Sequence, residues 1–310
     1  MKLPTVYSDN YVTPLPRGHR FPMAKFQLLY RIIRSEGIID DPAAIRPGEV
    51  DRESLEYIHT RDYISRFFDG TLATREIRRM GLPWSPGLVT RTRTAVSGTI
   101  ATARAALRYG IASNCAGGTH HAFPDFGSGF CIFNDLAVTA KIMVEKNEAK
   151  RILIIDLDVH QGDATAFSLA SETRVFTFSM HCEKNFPFRK QQSDRDVALA
   201  EGTGNEKYLR VLESELPAVI SAADPDLVLY DAGVDVHQSD RLGKLELTDT
   251  GLKLRDEMVL RACTERNIPV ATVIGGGYDR DIDALADRHA ITIRTAAEVA
   301  DTMDAAVDQV

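Results

Sequence analysis

The chain has 310 residues and a mass of 34.3 kDa, which is enough to bury a large core as one α/β domain or two ordinary ones. Its formal net charge of -7 and pI of about 5.7 argue against a nucleic-acid-binding protein, because such proteins usually carry a basic face. The same acidic balance is compatible with a cationic substrate.

Cysteine spacing and hydropathy indicate the compartment in which the protein works. Cys115, Cys131, Cys182 and Cys263 lie far apart without a C-x-x-C pair, so neither a disulfide framework nor a structural zinc site is expected. The amino-terminal segment has no apolar stretch typical of a signal peptide, and no apolar run approaches the length of a membrane span. We therefore expect a soluble, cytoplasmic protein.

Short apolar segments alternate with segments of helical periodicity along the chain. Strands are predicted at VYS near residue 6, IASNC from 111, ILIIDLD from 152, VFTFSM from 175, LVLYDAG from 227 and PVATVIGGG from 269. Apolar residues at three-and-four spacing predict helices near 22–36, 91–109, 134–146, 205–222, 250–266 and 294–307. This alternation predicts a single domain over residues 1–310, of class α/β, with a mostly parallel central sheet between two helical layers.

Polar residues cluster where four of these strands end, and the segment DLDVHQGD is the most informative cluster. In an extended chain, Asp156, Asp158 and His160 point to the same face. Isolated buried carboxylates are costly, so we expect these groups to share a cation or a hydrogen-bond network. A D-x-H pair suits a divalent metal when another loop supplies a third ligand.

The third ligand is expected from YDAGVDVHQSD, which follows the next strong strand of the chain. Asp235 is the best candidate, and Asp231 and Asp240 remain alternatives on sequence grounds. In a parallel sheet, the carboxyl ends of both strands reach the same edge, so the two clusters should meet.

Two further clusters carry groups suited to proton transfer and to charge stabilisation. Adjacent histidines, His120 and His121, follow a glycine pair, and an imidazole has a pKa near the operating pH of most enzymes. Each histidine needs a carboxylate to fix its tautomer, for which Asp156 and Asp163 are available. Tyr278 follows a run of three glycines and has a hydroxyl able to stabilise an oxyanion.

These motifs together resemble those of a known protein family. GGTHHAFPDFGSGFCIFND, IIDLDVHQGDATA, DAGVDVHQSDRLG and GGGYD occur in the order found in the zinc-dependent histone deacetylase superfamily, which has the arginase–deacetylase fold. LPRGHRFPMAKFQLL and NFPFRKQQSD resemble the class IV-like bacterial branch in particular.

The resemblance implies two cation sites. Asp158, His160 and Asp235 match the three ligands of the catalytic ion, for which zinc is expected and iron(II) is the alternative. Ser179 and Met180 match a structural potassium site that is shared with the turn carrying the first two ligands.

The resemblance also implies the catalytic groups. His120 and His121 match the paired histidines of the family, with Asp156 behind His120 and Asp163 behind His121. Tyr278 matches the tyrosine that stabilises the transition state.

Substrate contacts are implied less completely. Gly129, Phe130 and Phe186 match residues that line a narrow acyl-lysine channel, and Arg20 matches a basic residue at its foot. The segment 81–88 has no acidic residue where better-known members hold the peptide backbone. Peptide, protein and polyamine substrates therefore all remain open.

The expected activity is hydrolysis of an acyl-amide, either on lysine side chains of proteins and peptides or on a small acylated amine such as an acetylpolyamine. One alternative is an arginase-like amidinohydrolase with two metal ions. Another is a catalytically inactive binder of acylated amines, but such a protein would be expected to lack Tyr278, a ligand or a histidine. No nucleic-acid or membrane partner is expected, and the sequence does not predict the oligomeric state.

Overall fold

The computed structural model describes residues 2–39 and 43–307, the last four of these by their backbone alone. Within these residues, seven strands form one sheet: β1 (Thr5–Val6), β2 (Ile111–Asn114), β3 (Ile152–Asp156), β4 (Val175–Cys182), β5 (Arg195–Leu199), β6 (Leu227–Asp231) and β7 (Val270–Val273). Their order in the sheet is β1-β2-β7-β6-β3-β4-β5, and every neighbouring pair is parallel. The predicted α/β class with a parallel sheet is confirmed.

Ten α-helices accompany the sheet within the described residues: α1 (Lys25–Ser35), α2 (Arg52–Leu55), α3 (Arg61–Asp69), α4 (Thr74–Met80), α5 (Pro86–Tyr109), α6 (Asp135–Glu145), α7 (Asp163–Leu169), α8 (Asn205–Ala223), α9 (Asp249–Thr264) and α10 (Ile282–Val307). None of these helices has the length and apolar character needed to cross a membrane.

The central strands are buried along their whole length because helices cover both faces of the sheet. Every residue of β2, β3, β6 and β7 is buried. Continuous apolar runs such as ILII in β3 are typical of parallel strands covered on both faces. Such strands become polar only at their carboxyl ends, and this places the polar clusters at one edge of the sheet.

Sequence periodicity located six of the strands and missed β5. β5 is an outermost strand of the sheet, and four of its five residues are exposed or half-buried. The segment RDVAL therefore lacks an apolar run. The short helices α2, α3, α4 and α7 were also not predicted. The periodicity predicts a last helix from 294, whereas α10 begins at Ile282.

The strand register fixes which polar residues become neighbours. Asp156, the last residue of β3, lies directly beside Asp231 of β6 on one side and Ser179 of β4 on the other. The chain leaves the sheet just after these positions. The segment 157–163 and the segment 232–240 therefore start from adjacent points on the same edge.

Candidate active site

The three predicted metal ligands lie together beyond the carboxyl ends of β3 and β6. His160 Nδ1 is 2.9 Å from Asp158 Oδ1 and 3.1 Å from Asp235 Oδ2. In a tetrahedral site with ligand distances of about 2.0–2.1 Å, ligand atoms lie about 3.3 Å apart, so this spacing suits one bound ion. Asp235 Oδ2 is buried and makes no hydrogen bond to any described residue, which leaves it free to bind a cation.

Glycine is required beside this group because the backbone passes very close to it. A Cβ atom on Gly276 would lie 2.1 Å from Asp235 Oδ2 and 2.5 Å from Asp158 Oδ2. The Gly276 amide donates a hydrogen bond to Asp158 Oδ2 at 2.8 Å. The GGG segment therefore fixes the orientation of one carboxylate while leaving room for both.

His120 and His121 are buried neighbours whose ring centroids are 4.1 Å apart, and each is paired with a different carboxylate. His120 Nδ1 donates to Asp156 Oδ2 at 2.8 Å, and His121 Nδ1 donates to Asp163 Oδ1 at 2.6 Å. These are the two pairings expected from the sequence. Each pairing fixes the tautomer and leaves Nε2 of the ring to face the site.

The two imidazoles differ in their affinity for a proton. Burial disfavours protonation of His120, but the negative charges of Asp156 and Asp158 outweigh it and raise the His120 pKa well above its ordinary value. Burial and the neighbouring positive charge of His120 lower the His121 pKa to about 4, although Asp163 acts in the opposite direction. His121 is therefore neutral at physiological pH and able to accept a proton.

The loop that carries both histidines is held by Asp135, the first residue of α6, which sequence reasoning did not single out. Its carboxylate accepts hydrogen bonds from the backbone amides of Gly118 and Thr119 at 3.1 and 2.7 Å. It also accepts from the hydroxyls of Thr119 and Thr99, both at 2.6 Å. These four bonds fix the backbone immediately before His120.

Tyr278 lies next to the metal-ligand group, and its ring centroid is 6.4 Å from that of His160. Desolvation and the negative charges of Asp158 and Asp235 raise the Tyr278 pKa well above its ordinary value, so the phenol stays protonated. Asp240, one of the alternative ligands, instead accepts a hydrogen bond from the Tyr278 amide at 2.6 Å.

Asp231, the other alternative ligand, is buried behind His120. Its Oδ2 lies 3.9 Å from His120 Nδ1, and neither of its carboxylate oxygens has a hydrogen-bond partner among the described residues. His120, Asp156 and Asp231 form a second group whose potential ligand atoms lie within 4.8 Å of one another. Burial and the nearby charge of Asp156 raise the pKa of Asp231 well above its ordinary value.

A pocket of about 830 Å³ opens from the surface toward this site and reaches His121, His160 and Tyr278. The three predicted channel residues line it. The Phe186 ring meets the His121 ring edge-on with centroids 4.8 Å apart, and the Phe130 ring lies 5.7 Å from that of Tyr278.

The backbone at the channel wall is left-handed, with φ of 53° at Gly129 and 66° at Phe130. A Cβ atom on Gly129 would lie 2.7 Å from the His121 ring and 3.2 Å from that of Phe186. Glycine is therefore needed at this point to keep the passage open between the two rings.

Residues 19–294 match the family described as Histone deacetylase domain. The chain belongs to the histone deacetylase family. An uncharacterized protein of Picosynechococcus sp. is 52% identical over 299 residues, covering 96% of this chain and 100% of the relative. Histone deacetylase 2 of Arabidopsis thaliana is 29% identical over 289 residues, covering 89% of this chain and 75% of the relative.

Solved structures of histone deacetylase homologues share the fold of this chain. The crystal structure of a histone deacetylase homologue complexed with SAHA superposes with a TM-score of 0.81 at 25% identity, covering 96% of this chain and 84% of the other. The homologue from Aquifex aeolicus gives a TM-score of 0.80 at 25% identity with the same coverage. The predicted superfamily is confirmed, and membership supports a deacetylase hydrolase.

The prediction that Arg20 lies at the foot of the pocket is wrong. Arg20 is exposed and lines the outer part, whereas Lys25 and Arg91 are buried around a small inner cavity of about 30 Å³. Lys25 Nζ donates to the carbonyl oxygens of Gly275 and Gly277 at 3.2 and 3.4 Å. Burial lowers the pKa of Lys25 to about 8, although nearby carboxylates oppose the shift.

The two residues predicted for a potassium site lie on β4, next to the end of β3. Ser179 and Met180 are buried, and Ser179 lies beside Asp156 in the sheet register. The Ser179 hydroxyl is 3.0 Å from His181 Nδ1.

Proposed function

We propose that this chain is a metal-dependent amide hydrolase that removes an acyl group, acetyl or longer, from lysine side chains or from a related acylated amine. The proposal treats residues 1–310 as one catalytic domain working in the cytoplasm. The observation that carries it is the convergence, at the inner end of one pocket, of a three-ligand group, a neutral histidine and a protonated tyrosine.

Asp158, His160 and Asp235 are proposed to hold one divalent ion, zinc in the first instance and iron(II) as the alternative. The group fits such an ion because its ligand atoms are spaced at 2.9 and 3.1 Å and one buried oxygen has no hydrogen-bond partner among the described residues. When bound, a divalent ion supplies Lewis acidity toward the amide carbonyl and lowers the pKa of water. Two carboxylates and one imidazole leave little net charge, so other groups must share the developing negative charge.

His121 is proposed as the general base. It is neutral at physiological pH, it lines the pocket, and Asp163 fixes its ring through a 2.6 Å hydrogen bond. His121 takes a proton from the attacking water and returns it to the leaving amine nitrogen. His120, held by Asp156, keeps a positive charge beside His121 and so limits the proton affinity of the base.

Tyr278 is proposed to stabilise the oxyanion that forms from the amide carbonyl. Its phenol keeps the proton that such a donor needs, and Asp240 anchors its backbone amide. A donor positioned before the reaction contributes more than one that must reorient. A structural potassium ion is further proposed beside Asp156, with Ser179 and Met180 among its ligands.

The channel supports a substrate with a long methylene chain. Phe130 and Phe186 are half-buried aromatic rings on the pocket wall, and each contacts a proposed catalytic residue. Gly129 lies against the His121 and Phe186 rings, and its lack of a side chain keeps the passage from closing. A lysine side chain fits this arrangement because its methylenes contact the rings while its acyl-amide reaches the polar end.

The experiment that tests the proposal is an assay of purified, metal-loaded protein against acetyl-lysine peptides, long-acyl-lysine peptides and acetylpolyamines. We expect release of the free amine from at least one acyl-lysine peptide and its loss after chelation. Failure to cleave any acylated amine, with full metal occupancy, would contradict amide hydrolysis.

A second candidate function is an arginase-like amidinohydrolase, and one observation favours it. The group of His120, Asp156 and Asp231 offers a second set of ligand atoms next to the first. Metal counting separates the two functions: one divalent ion per chain supports deacylation, and two ions together with urea release support amidinohydrolysis. The 2.8 Å bond between His120 and Asp156 would have to break to admit the second ion.

A further inference from the structure

The charged side chains at the mouth of the pocket are arginines and lysines. Among the described residues that line the pocket none is an aspartate or a glutamate. Its lining does include five basic side chains: Arg20, Arg78, Arg79, Lys184 and Lys244. We refer to these five as the basic rim.

The members of the basic rim come from four separate segments of the chain. Arg20 lies in the loop before α1, and Arg78 and Arg79 lie in the last turn of α4. Lys184 follows β4, and Lys244 lies in the loop between β6 and α9. All five are exposed, and all five line the same pocket although they are distant in the sequence.

Little of this charge is neutralised within the protein. Lys184 Nζ and Lys244 Nζ lie 3.9 and 3.6 Å from one and the same carboxylate, that of Glu201. Arg79 stacks on the Phe126 ring, with its guanidinium carbon 4.3 Å from the centroid.

The remaining two members of the basic rim, Arg20 and Arg78, form no ion pair with any residue in the described part of the chain. Four formal positive charges thus remain after Glu201 is counted against the five.

This local charge is opposite to that of the whole chain. The formal net charge of the protein is -7, so basic residues are not simply abundant on its surface. Concentrating like charges around one opening costs free energy through mutual repulsion, and a bound anion relieves that repulsion. The charge also raises the local concentration of anionic molecules and their rate of entry.

We propose that the preferred substrate is an acylated amine that carries negative charge just outside the channel, namely an acyl-lysine flanked by acidic residues. This inference rests on the proposed amide hydrolysis at the same site. Phe188, a residue that is 93% exposed and lines the pocket, offers an apolar contact to the same flanking segment. Polycationic substrates such as acetylpolyamines, and guanidinium substrates, would meet repulsion at the basic rim.

The test compares three acetyl-lysine peptides of equal length whose flanking residues are acidic, neutral or basic. With metal-loaded protein at low ionic strength, we expect kcat/KM for the acidic peptide to exceed that for the neutral one roughly tenfold. The basic peptide should be the poorest. The differences should collapse at about 0.5 M salt, where the Debye length is only a few ångström.

Charge reversal ties the preference to the basic rim. In the double variant Arg20→Glu with Arg78→Glu, the ratio of kcat/KM for acidic over neutral peptide should fall to one or below. The double variant Lys146→Glu with Lys150→Glu is the matched control, because both lysines are exposed and precede β3, whose carboxyl end faces the site. Its ratio should equal that of the wild type, and thermal melting should verify that every variant is folded.

Free Nε-acetyl-lysine and its carboxamide identify the source of the negative charge. If the free acid is cleaved faster than the carboxamide, the anionic group belongs to a small acylated amino acid. If the two are cleaved equally and the acidic peptide is preferred, the anionic group belongs to a peptide. Equal kcat/KM for all three peptides, or a preference for basic flanks, would overturn the inference while leaving amide hydrolysis intact. If no peptide is cleaved at any ionic strength, the proposed function fails and this inference fails with it.

Discussion

The His121 ring donates a 2.6 Å hydrogen bond to Asp163, while the adjacent His120 ring is bonded to a different carboxylate, Asp156, at 2.8 Å. Because the two environments differ, the pKa of His121 falls to about 4 and the pKa of His120 rises well above its ordinary value. Two titratable neighbours whose pKa values are pushed apart are a strong indication of an acid–base site. At neutral pH one ring can accept a proton and the other cannot.

Asp163→Asn should lower kcat by about a hundredfold or more, because His121 loses the partner that fixes its tautomer. In the wild type, kcat/KM should fall as pH falls through about 4, since protonation removes the base. Asp163 raises the His121 pKa, so the acid limb of the variant should move to lower pH. Stopped assays across pH with metal-loaded protein measure both effects. Asp125→Asn, at an exposed position, is the control, and an unchanged kcat in Asp163→Asn would exclude His121 as the base.

Asp158→Ala and Asp235→Ala should each abolish stoichiometric metal binding. Each substitution removes one of three ligands and leaves the other two too few to retain the ion through dialysis. Elemental analysis after dialysis measures the metal content per chain. Asp301→Ala, at an exposed position of α10, should retain the wild-type content. Full retention in both ligand variants would place the ion elsewhere.

Tyr278→Phe should keep the metal and lower kcat about a hundredfold, which corresponds to the loss of one preorganised donor, about 3 kcal/mol. KM should change little because the ring and its contacts with Phe130 remain. Tyr57→Phe, which alters an exposed phenol, is the matched control. Steady-state kinetics together with metal analysis give the answer, and near-normal turnover in Tyr278→Phe would remove the tyrosine from the mechanism.

The sequence predicted that the three proposed metal ligands would lie together because two simple regularities place them. Alternation along an extended chain puts Asp158 and His160 on one face, and parallel strands bring their carboxyl ends to one edge. The choice between Asp235 and Asp240 could not be made in this way. It depends on how the loop after β6 folds, and there Asp240 accepts amide hydrogen bonds from Leu242, Gly243 and Tyr278.

Other features had no sequence signal. Lys25 lies on a helix, where a charged residue is normally solvated, yet the backbone carbonyls of the glycine run reach over it and bury it. The sequence alone favours Arg20, close by in the chain, for the foot of the pocket, because it does not show that Lys25 is buried and Arg20 exposed. The basic rim is similarly invisible in a chain of net charge -7, because its members come from four separate segments.

Asp231 allows a test that is independent of activity. Burial and the charge of Asp156 raise its pKa, so the folded state holds a proton that the unfolded state releases at a lower pH. The ionisable carboxyl therefore destabilises the fold increasingly as pH rises above about 3.9, the ordinary value for aspartate. Replacing it with asparagine removes this dependence and supplies an amide that can donate to Asp156.

We expect Asp231→Asn to melt at higher temperature than the wild type in metal-free protein, by at least about 3 °C at pH 8. The difference should be smaller at pH 5, because the pH approaches the ordinary aspartate pKa there. Asp301→Asn should show no such trend, since its side chain is exposed. If instead Asp231→Asn melts at lower temperature and binds one ion fewer than the wild type, the carboxylate holds a second cation. The two-metal amidinohydrolase would then become the better account of the site.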